Sequence, residues 1–435
     1  MSALSVAGTG LLALLVLILM QVPVAFAMII VGIVGFALQA GMTPALTILA
    51  SETSGILSSV DLASIPLFLL MGAFASAAGF SDDVYRVASA FLSHRRGGLA
   101  YATIGGCAAF GAVCGSSTAT AATFAKAALP QMLKRGYSPS LAAGSIAAGG
   151  TLKALIPPSV IMILYCVTAK TFINDLFLAA IVPALLTIGL NLAAIWIVVR
   201  LRPADAPIEA RGSWPERRAA MRTAAPVLVL MLALFAGLYS GVFTVNEAAS
   251  VAAVLSLAFA LLRRRLSWAT FWQGLRDAAS ATAMIYLLII GASVFTYFIS
   301  LARVPEALVT MIEHIALPPV AIIFMILAAY LVLGAIFDEI AAMLITLPLI
   351  LPLIVKLGYD PIWWGIVNVV IIELGMIIPP IGLIVFILHG MAPQISLRAI
   401  YRGVTPFIIA DLTVLVLLTL FPALATWLPT VFGRS

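Results

Sequence analysis

Residues 129–139 read LPQMLKRGYSP, and residues 351–361 read LPLIVKLGYDP. Leu129, Pro130, Lys134, Gly136, Tyr137 and Pro139 recur as Leu351, Pro352, Lys356, Gly358, Tyr359 and Pro361, an offset of 222 positions. The same offset carries Pro157-Pro158 onto Pro379-Pro380, and each pair interrupts an apolar run. A fixed offset sustained over such a distance marks an internal duplication. In a membrane protein, two halves with interrupted helices predict a transporter whose site lies between the repeats.

The membrane assignment rests on composition. Of 435 residues, 63% are hydrophobic and 9% charged, and mean hydropathy is +1.19. A soluble chain of this size needs far more charge to cover its surface. The net charge of +6 does not point to nucleic acid. Arg residues cluster between apolar segments, where orientation signals and the headgroups of the lipid bilayer account for them. Cys107, Cys114 and Cys166 show no metal spacing and are read as packing residues. The first Lys or Arg is Arg86, so the N-terminus lacks the basic region of a secretory signal. No nucleophile–base set, P-loop or metal-ligand cluster occurs, so an enzyme is not expected.

The fold class expected is an all-α polytopic membrane protein with about ten spanning helices and two re-entrant hairpins. The spans expected are 5–22, 24–41, 61–79, 140–170, 174–199, 223–240, 245–262, 279–300, 361–391 and 404–428. The hairpins are 97–134 and 318–355, while 42–60 and 80–93 are taken as interfacial and 200–222 as a polar cytoplasmic loop. Arg95-Arg96, Lys134-Arg135, the Arg residues from 200 to 222, Arg263-Arg264-Arg265, Arg398 and Arg402 mark the cytoplasmic side. Threading the spans through them places both termini in the periplasm and gives the two repeats opposite orientation. The organisation expected is two transport segments, 97–170 and 318–391, set among helices from 1–96, 171–317 and 392–435.

Each Pro-Pro pair removes two donors and breaks its helix. Non-helical backbone at membrane depth needs protein, water or a ligand as partner. A break exposes carbonyls suited to a cation and N–H groups suited to an anion. Gly150 precedes the first break and Ser159 follows Pro157-Pro158. Gly375 precedes the second, and Gly382 follows Pro379-Pro380. The first hairpin carries Gly115, Ser116, Ser117 and Thr118 near its middle, where hydroxyls can complete an oxygen cage. The offset maps Ser116-Ser117 onto Asp338-Glu339, two carboxylates that mark the second tip and can take a cation, a proton or the substrate path. Blander readings stand beside these. The small-residue run suits close helix packing, Asp338-Glu339 can solvate a loop, and Glu247 suits a helix N-terminus.

The motifs together resemble the large membrane subunit of tripartite ATP-independent periplasmic (TRAP) transporters, the DctM type. The resemblance is carried by GSSTATAATFAKAALPQMLKRGY (115–137), GGTLKALIPPSVIMILY (149–165), FTVNEAA (243–249), LPLILPLIVKLGYDPIWWGI (347–366), ELGMIIPPIGLIVF (373–386) and RGVTPFIIADL (402–412). It implies an elevator-type inverted-repeat secondary transporter of the bacterial inner membrane that takes up an organic acid. Its implied partners are a small four-helix membrane subunit and a periplasmic substrate-binding protein. It implies no cofactor beyond sodium as coupling ion. One sodium would lie near Ser116, Ser117 and the break at 150–157, the other near Asp338 and the break at 375–382. Two rival readings are a stand-alone carboxylate or anion symporter of related architecture and a non-transporting membrane scaffold or sensor.

This chain departs from the family pattern at both breaks. Lys153 stands where the family has Gly, and the repeat also asks for Gly, since Lys153 maps to Gly375. In the second break, Ile378 and Ile384 replace a Thr and an Asn of the family pattern. The expectation is that the Lys153 ammonium takes the place of the first sodium, donating to Ser116, Ser117 and helix-end carbonyls. Snorkelling toward the cytoplasm is the alternative.

Overall fold

The computed structural model describes residues 3–208, 211–314 and 317–432. The expectation for the two extreme termini falls on residues outside these ranges. The chain opens with α1 (Ala3–Leu19), α2 (Val24–Ala40), α3 (Met42–Leu57), α4 (Ser64–Ala77) and α5 (Phe80–Leu92). The first hairpin follows as α6 (Gly98–Cys114) and α7 (Ser117–Ala127), continued by the short α8 (Leu129–Lys134). α9 (Pro139–Leu152) and α10 (Val160–Ala169) are the halves of the first broken helix. Then come α11 (Ile173–Leu201), α12 (Trp214–Tyr239), α13 (Val245–Leu262), α14 (Trp268–Leu301) and α15 (Val304–Glu313). The second hairpin is α16 (Pro319–Ile336) with α17 (Glu339–Lys356), and the second broken helix is α18 (Pro361–Gly375) with α19 (Leu383–Met391). α20 (Leu397–Leu420) and α21 (Ala423–Phe432) end the chain. The order hairpin, Gly-Tyr turn, broken helix is thus present twice.

Among the described residues seven helices are long and apolar enough to cross a bilayer, or up to nine if each bent pair is one span. The expected count of about ten is not reached, because α1 and α2 are each 17 residues long and the stretch 361–391 is divided. The stretch 361–391 splits into pieces of 15 and 9 residues. The segment 404–428 is not continuous either. α20 stops at Leu420, and Pro422, which has no N–H to continue the ladder, starts a separate turn into α21. The 42–60 segment forms α3, bent by 59° against the helix that follows it.

The polar loop is shorter than its composition suggests. α11 runs to Leu201 and α12 begins at Trp214, so residues 214–222 are helical. Ser213 accepts from the Glu216 N–H while the Glu216 carboxylate accepts from the Ser213 N–H at 2.8 Å, a complete capping box. Ser213→Ala should cost about 1 kcal/mol of stability. Thermal unfolding in detergent checks it, and an unchanged midpoint would mean the cap is redundant. Thr244 and Glu247 cap α13 in the same way, which gives Glu247 its helix-terminal role.

Close approach of small residues sets the packing around α9. Every residue from Leu141 to Leu152 is buried, and most are Ala, Gly, Ser or Thr. A Cβ on Gly144 would lie 2.2 Å from the Gly403 carbonyl oxygen, and one on Gly403 would lie 1.9 Å from that of Ser140. α9 and α20 therefore touch backbone to backbone. Arg263, read from sequence as an orientation charge, also bolts helices together. Its guanidinium pairs with the buried Asp83 of α5, donates to the Thr223 carbonyl of α12 and lies over the Phe80 ring at 5.2 Å.

Candidate functional site

The two hairpin tips are built alike. α6 ends at Cys114, Gly115 turns the chain with φ +73°, and Ser116 accepts from the Ala119 N–H at 3.3 Å as the N-cap of α7. The Ser116 and Thr118 hydroxyls meet at 3.1 Å. At the second tip, Asp338 accepts from the Ile340 N–H at 3.1 Å as the N-cap of α17. Ser116 and Asp338, equivalent under the 222-residue offset, thus play the same local role, since both satisfy helix N–H groups. The residues just after them, Ser117 and Glu339, are buried.

Both breaks lie opposite a hairpin. α9 tightens into a 3₁₀ turn at Lys153–Leu155, and Pro157-Pro158 and Ser159 lead into α10. α18 ends at Gly375, and Pro379-Pro380 lead to the left-handed Gly382 before α19. Both Pro-Pro bonds are cis. Gly150 packs on the first hairpin, where a Cβ would come within 2.9 Å of Ala121 and 3.4 Å of the Ser117 carbonyl. A Cβ on Gly375 would stand 2.5 Å from the Gly334 carbonyl carbon, so α18 meets α16 through bare backbone. In the first repeat the corresponding room holds the Lys153 stem, which leaves no place for a Cβ on Gly111.

The two half-sites converge on one buried cluster. The Ser117 hydroxyl of the first hairpin donates to Glu373 Oε1 on α18 at 2.6 Å. Glu373, on the half-helix before the second break, and Glu339, at the second hairpin tip, interact as a carboxylate pair. Lys153, from the first break, acts electrostatically on both. Lys153 is 1% exposed, Glu373 3% and Glu339 7%. Lys153 Nζ, Glu339 Oε2 and Glu373 Oε2 have no hydrogen-bond partner among the described residues. Ser117 and Glu373 are thus in direct contact, and the Glu339 carboxylate and the Lys153 ammonium lie within electrostatic reach of them in the interior, where an uncompensated charge is costly.

The cluster differs from the one expected of the sequence. Ser117 bonds Glu373 rather than Lys153, and Ser116 is committed to its cap and to Thr118. Buried Lys153 sits among carboxylates rather than snorkelling. Asp338 stays exposed at the rim, while Glu339 enters the cluster. Glu373 is a site residue that the sequence motifs do not single out, although a lone carboxylate in the apolar run IIELGMII, two positions before the counterpart of Lys153, is a usable signal. Asp411 on α20 is another. It accepts from Asn191 Nδ2 at 3.1 Å, both side chains being buried, and lines a narrow gap with Thr151, Thr187 and Glu373.

The halves differ in access. Pro157, Pro158 and Ser159 are buried, whereas Pro379, Pro380 and Ile381 are exposed. At the second break the Tyr401 hydroxyl lies 2.7 Å from the Ile381 carbonyl and 3.1 Å from that of Pro380. In the neighbourhood where the resemblance places the first sodium, a tethered ammonium stands within electrostatic reach of the Glu339 and Glu373 carboxylates. The second half-site offers Asp338 and the carbonyls of Ile377 and Ile378 beside Gly382, with apolar Ile378 and Ile384 in place of polar ligands.

Comparison with known proteins agrees with this architecture. Residues 11–424 match the family model for the tripartite ATP-independent periplasmic transporter, DctM component. The C4-dicarboxylate TRAP transporter large permease protein DctM of Pseudomonas aeruginosa is 34% identical over 406 residues, 91% of this chain and 94% of that one. The isethionate TRAP transporter permease protein DctMQ of Oleidesulfovibrio alaskensis is 32% identical over 92% of this chain, which spans 64% of that longer protein. Among solved structures, the YdaH transporter of Alcanivorax borkumensis superposes with a TM-score of 0.59 at 16% identity, covering 92% of this chain and 91% of that one, and shows a shared fold. The chain is a multi-span membrane permease and belongs to the DctM component family of tripartite ATP-independent periplasmic transporters.

Proposed function

We propose that this permease takes up a small organic acid handed over by a periplasmic binding protein, by secondary active transport with an elevator-type movement. The reading is carried by one observation: two hairpin tips and two broken helices meet at a single buried polar cluster. The segments 97–170 and 318–391 form the moving unit, and the remaining helices form the frame that holds a small membrane subunit. Two relatives are named for organic anions, a C4-dicarboxylate and isethionate, and the fused name DctMQ supports a second membrane component. The two repeats lie in opposite orientation with both termini periplasmic. Proteoliposomes carrying all three components should accumulate solute, and omission of the binding protein should abolish uptake. Undiminished uptake by this chain alone would favour a stand-alone symporter.

Within this reading Lys153 is a fixed substitute for the first sodium. Lys153→Gly is expected to make uptake more dependent on sodium, because removing the ammonium leaves carboxylates facing space that a cation can fill. Equal sodium dependence in wild type and Lys153→Gly would sink the substitution idea.

A further inference from the structure

We propose that a polar cavity at the foot of the first hairpin is a binding site for a phosphate group, supplied by an anionic lipid headgroup or by free phosphate. The cavity lies on the face that the Arg clusters mark as cytoplasmic, apart from the buried cluster. Its volume is about 710 Å³, inside the range of about 300–1,000 Å³ usual for ligand clefts. It opens between α5, the hairpin foot in α7 and α8, and the segments leading into α12 and α14.

The walls carry four cations from four places in the fold: Arg86 of α5, Lys126 of α7, Arg135 after α8 and Arg265 before α14. Two carboxylates stand with them, Asp82 and Glu216, so the lining has a formal charge of four minus two, or +2. Glu216 already accepts from the Ser213 N–H at 2.8 Å, and neighbouring Asp83 is paired with Arg263. Among the described residues Arg86, Lys126 and Arg265 form no ion pair. The Arg265 guanidinium is seated against Gly79, where a Cβ would stand 1.9 Å from one of its nitrogens. A guanidinium fork matches two oxygens of a phosphate, and an ammonium adds a point charge.

An independent feature points to the same ligand. The Ser89 hydroxyl lines the cavity three residues after Arg86 and is 8% exposed, yet it has no hydrogen-bond partner among the described residues. The buried Tyr85 hydroxyl beside it is also unpartnered. A buried hydroxyl left so is costly, and an oxyanion held by the surrounding cations gives it an acceptor. The depth suits a headgroup. Trp214 is 64% exposed between the cavity residues Gly212 and Glu216, and Trp268 is 74% exposed three residues after Arg265. Exposed Trp residues at helix ends mark the membrane interface, and basic pockets between helices at that level hold phosphate headgroups.

Lys126 and Arg135 belong to the proposed moving unit, whereas Arg86 and Arg265 belong to the frame. One phosphate held from both walls ties the hairpin foot to the frame and slows movement. This consequence rests on the permease reading; occupancy of the site does not.

The test uses the full chain in nanodiscs of phosphatidylcholine alone or mixed with phosphatidylglycerol, and inorganic phosphate titrated calorimetrically into the phosphatidylcholine sample at constant ionic strength. Arg86→Gln and Lys126→Gln each remove one exposed cation, one from either wall. Arg218→Gln/Arg222→Gln removes two exposed cations outside the cavity and is the control. Phosphatidylglycerol should raise the unfolding temperature of wild type and control but not of Arg86→Gln/Lys126→Gln, which assigns the site to a lipid. Phosphate binding that is kept in the control and weakened about tenfold by each cavity substitution assigns it to the free ion. Cavity and control variants that respond alike to both probes overturn the proposal. Failure of the permease reading registers separately, as absent solute flux in complete three-component proteoliposomes of either lipid composition.

Discussion

Lys153→Met is expected to destabilise the protein by about 3–5 kcal/mol, because it removes the cation that faces two buried carboxylates. The loss should not resemble an ordinary core substitution. Met fills a similar volume, so packing changes little. What remains is Glu339 and Glu373 in mutual repulsion, with the Ser117 hydroxyl still bonded to Glu373. The double variant Lys153→Met/Glu339→Gln should recover much of the loss, with a coupling of about 0.5–3 kcal/mol between the positions. Thermal unfolding of wild type, both singles and the double in sodium-free buffer measures this cycle. Sodium should restore part of the stability of Lys153→Met by mass action, because a cation that binds only the folded cluster stabilises it. An additive cycle, with Lys153→Met inside the ordinary surface range of about 0.5 kcal/mol, would show that the ammonium is not paired with these carboxylates.

Gly403→Ala is the second large effect. The new methyl group would stand 1.9 Å from the Ser140 carbonyl oxygen, and the obstacle is backbone rather than a side chain that can rotate away. α9 and α20 must separate along their whole contact, at a cost of about 3 kcal/mol, the upper end of overpacking in a dense core. Gly144→Ala, 2.2 Å from the Gly403 carbonyl oxygen, should behave alike. The control is Gly189→Ala in α11, where a Cβ meets nothing within 4 Å and helix propensity favours Ala by about 1 kcal/mol. Expression yield and unfolding temperature in detergent read the comparison. A Gly403→Ala protein as stable as Gly189→Ala would mean that the two helices do not sit backbone to backbone. Because α9 lies in the proposed moving unit and α20 in the frame, the same contact is one that movement must slide or break.

Much of the architecture is legible in the chain because its cause is local. A Pro-Pro pair breaks a helix wherever it stands, and a Gly or a polar pair in an apolar run marks a tip. Hence Gly115-Ser116 and Asp338 fall at the observed hairpin turns, and both breaks fall at the Pro-Pro pairs. Expectation and structure part where one local signal overrides another. The polar composition of 214–222 suggests a loop, but the Ser213–Glu216 capping box starts a helix there. Continuous hydropathy across 404–428 hides the stop before Pro422.

The sequence by itself determined the membrane class, the duplication, the position of tips and breaks, and the oddity of Lys153 against Gly375. Each follows from composition, backbone chemistry or a comparison between two stretches of one chain. Only the tertiary structure decided which groups meet. Ser117 and Glu373 are 256 residues apart, and no spacing rule on either helix brings them to 2.6 Å. The Lys153 stem finds room because Gly111 on another helix has no side chain, and its charge comes within reach of Glu339 and Glu373 because the buried first break packs against α18. Burial turned a lone Lys and two scattered carboxylates into one electrostatic unit, since charges that water would screen apart must answer one another in a dry interior.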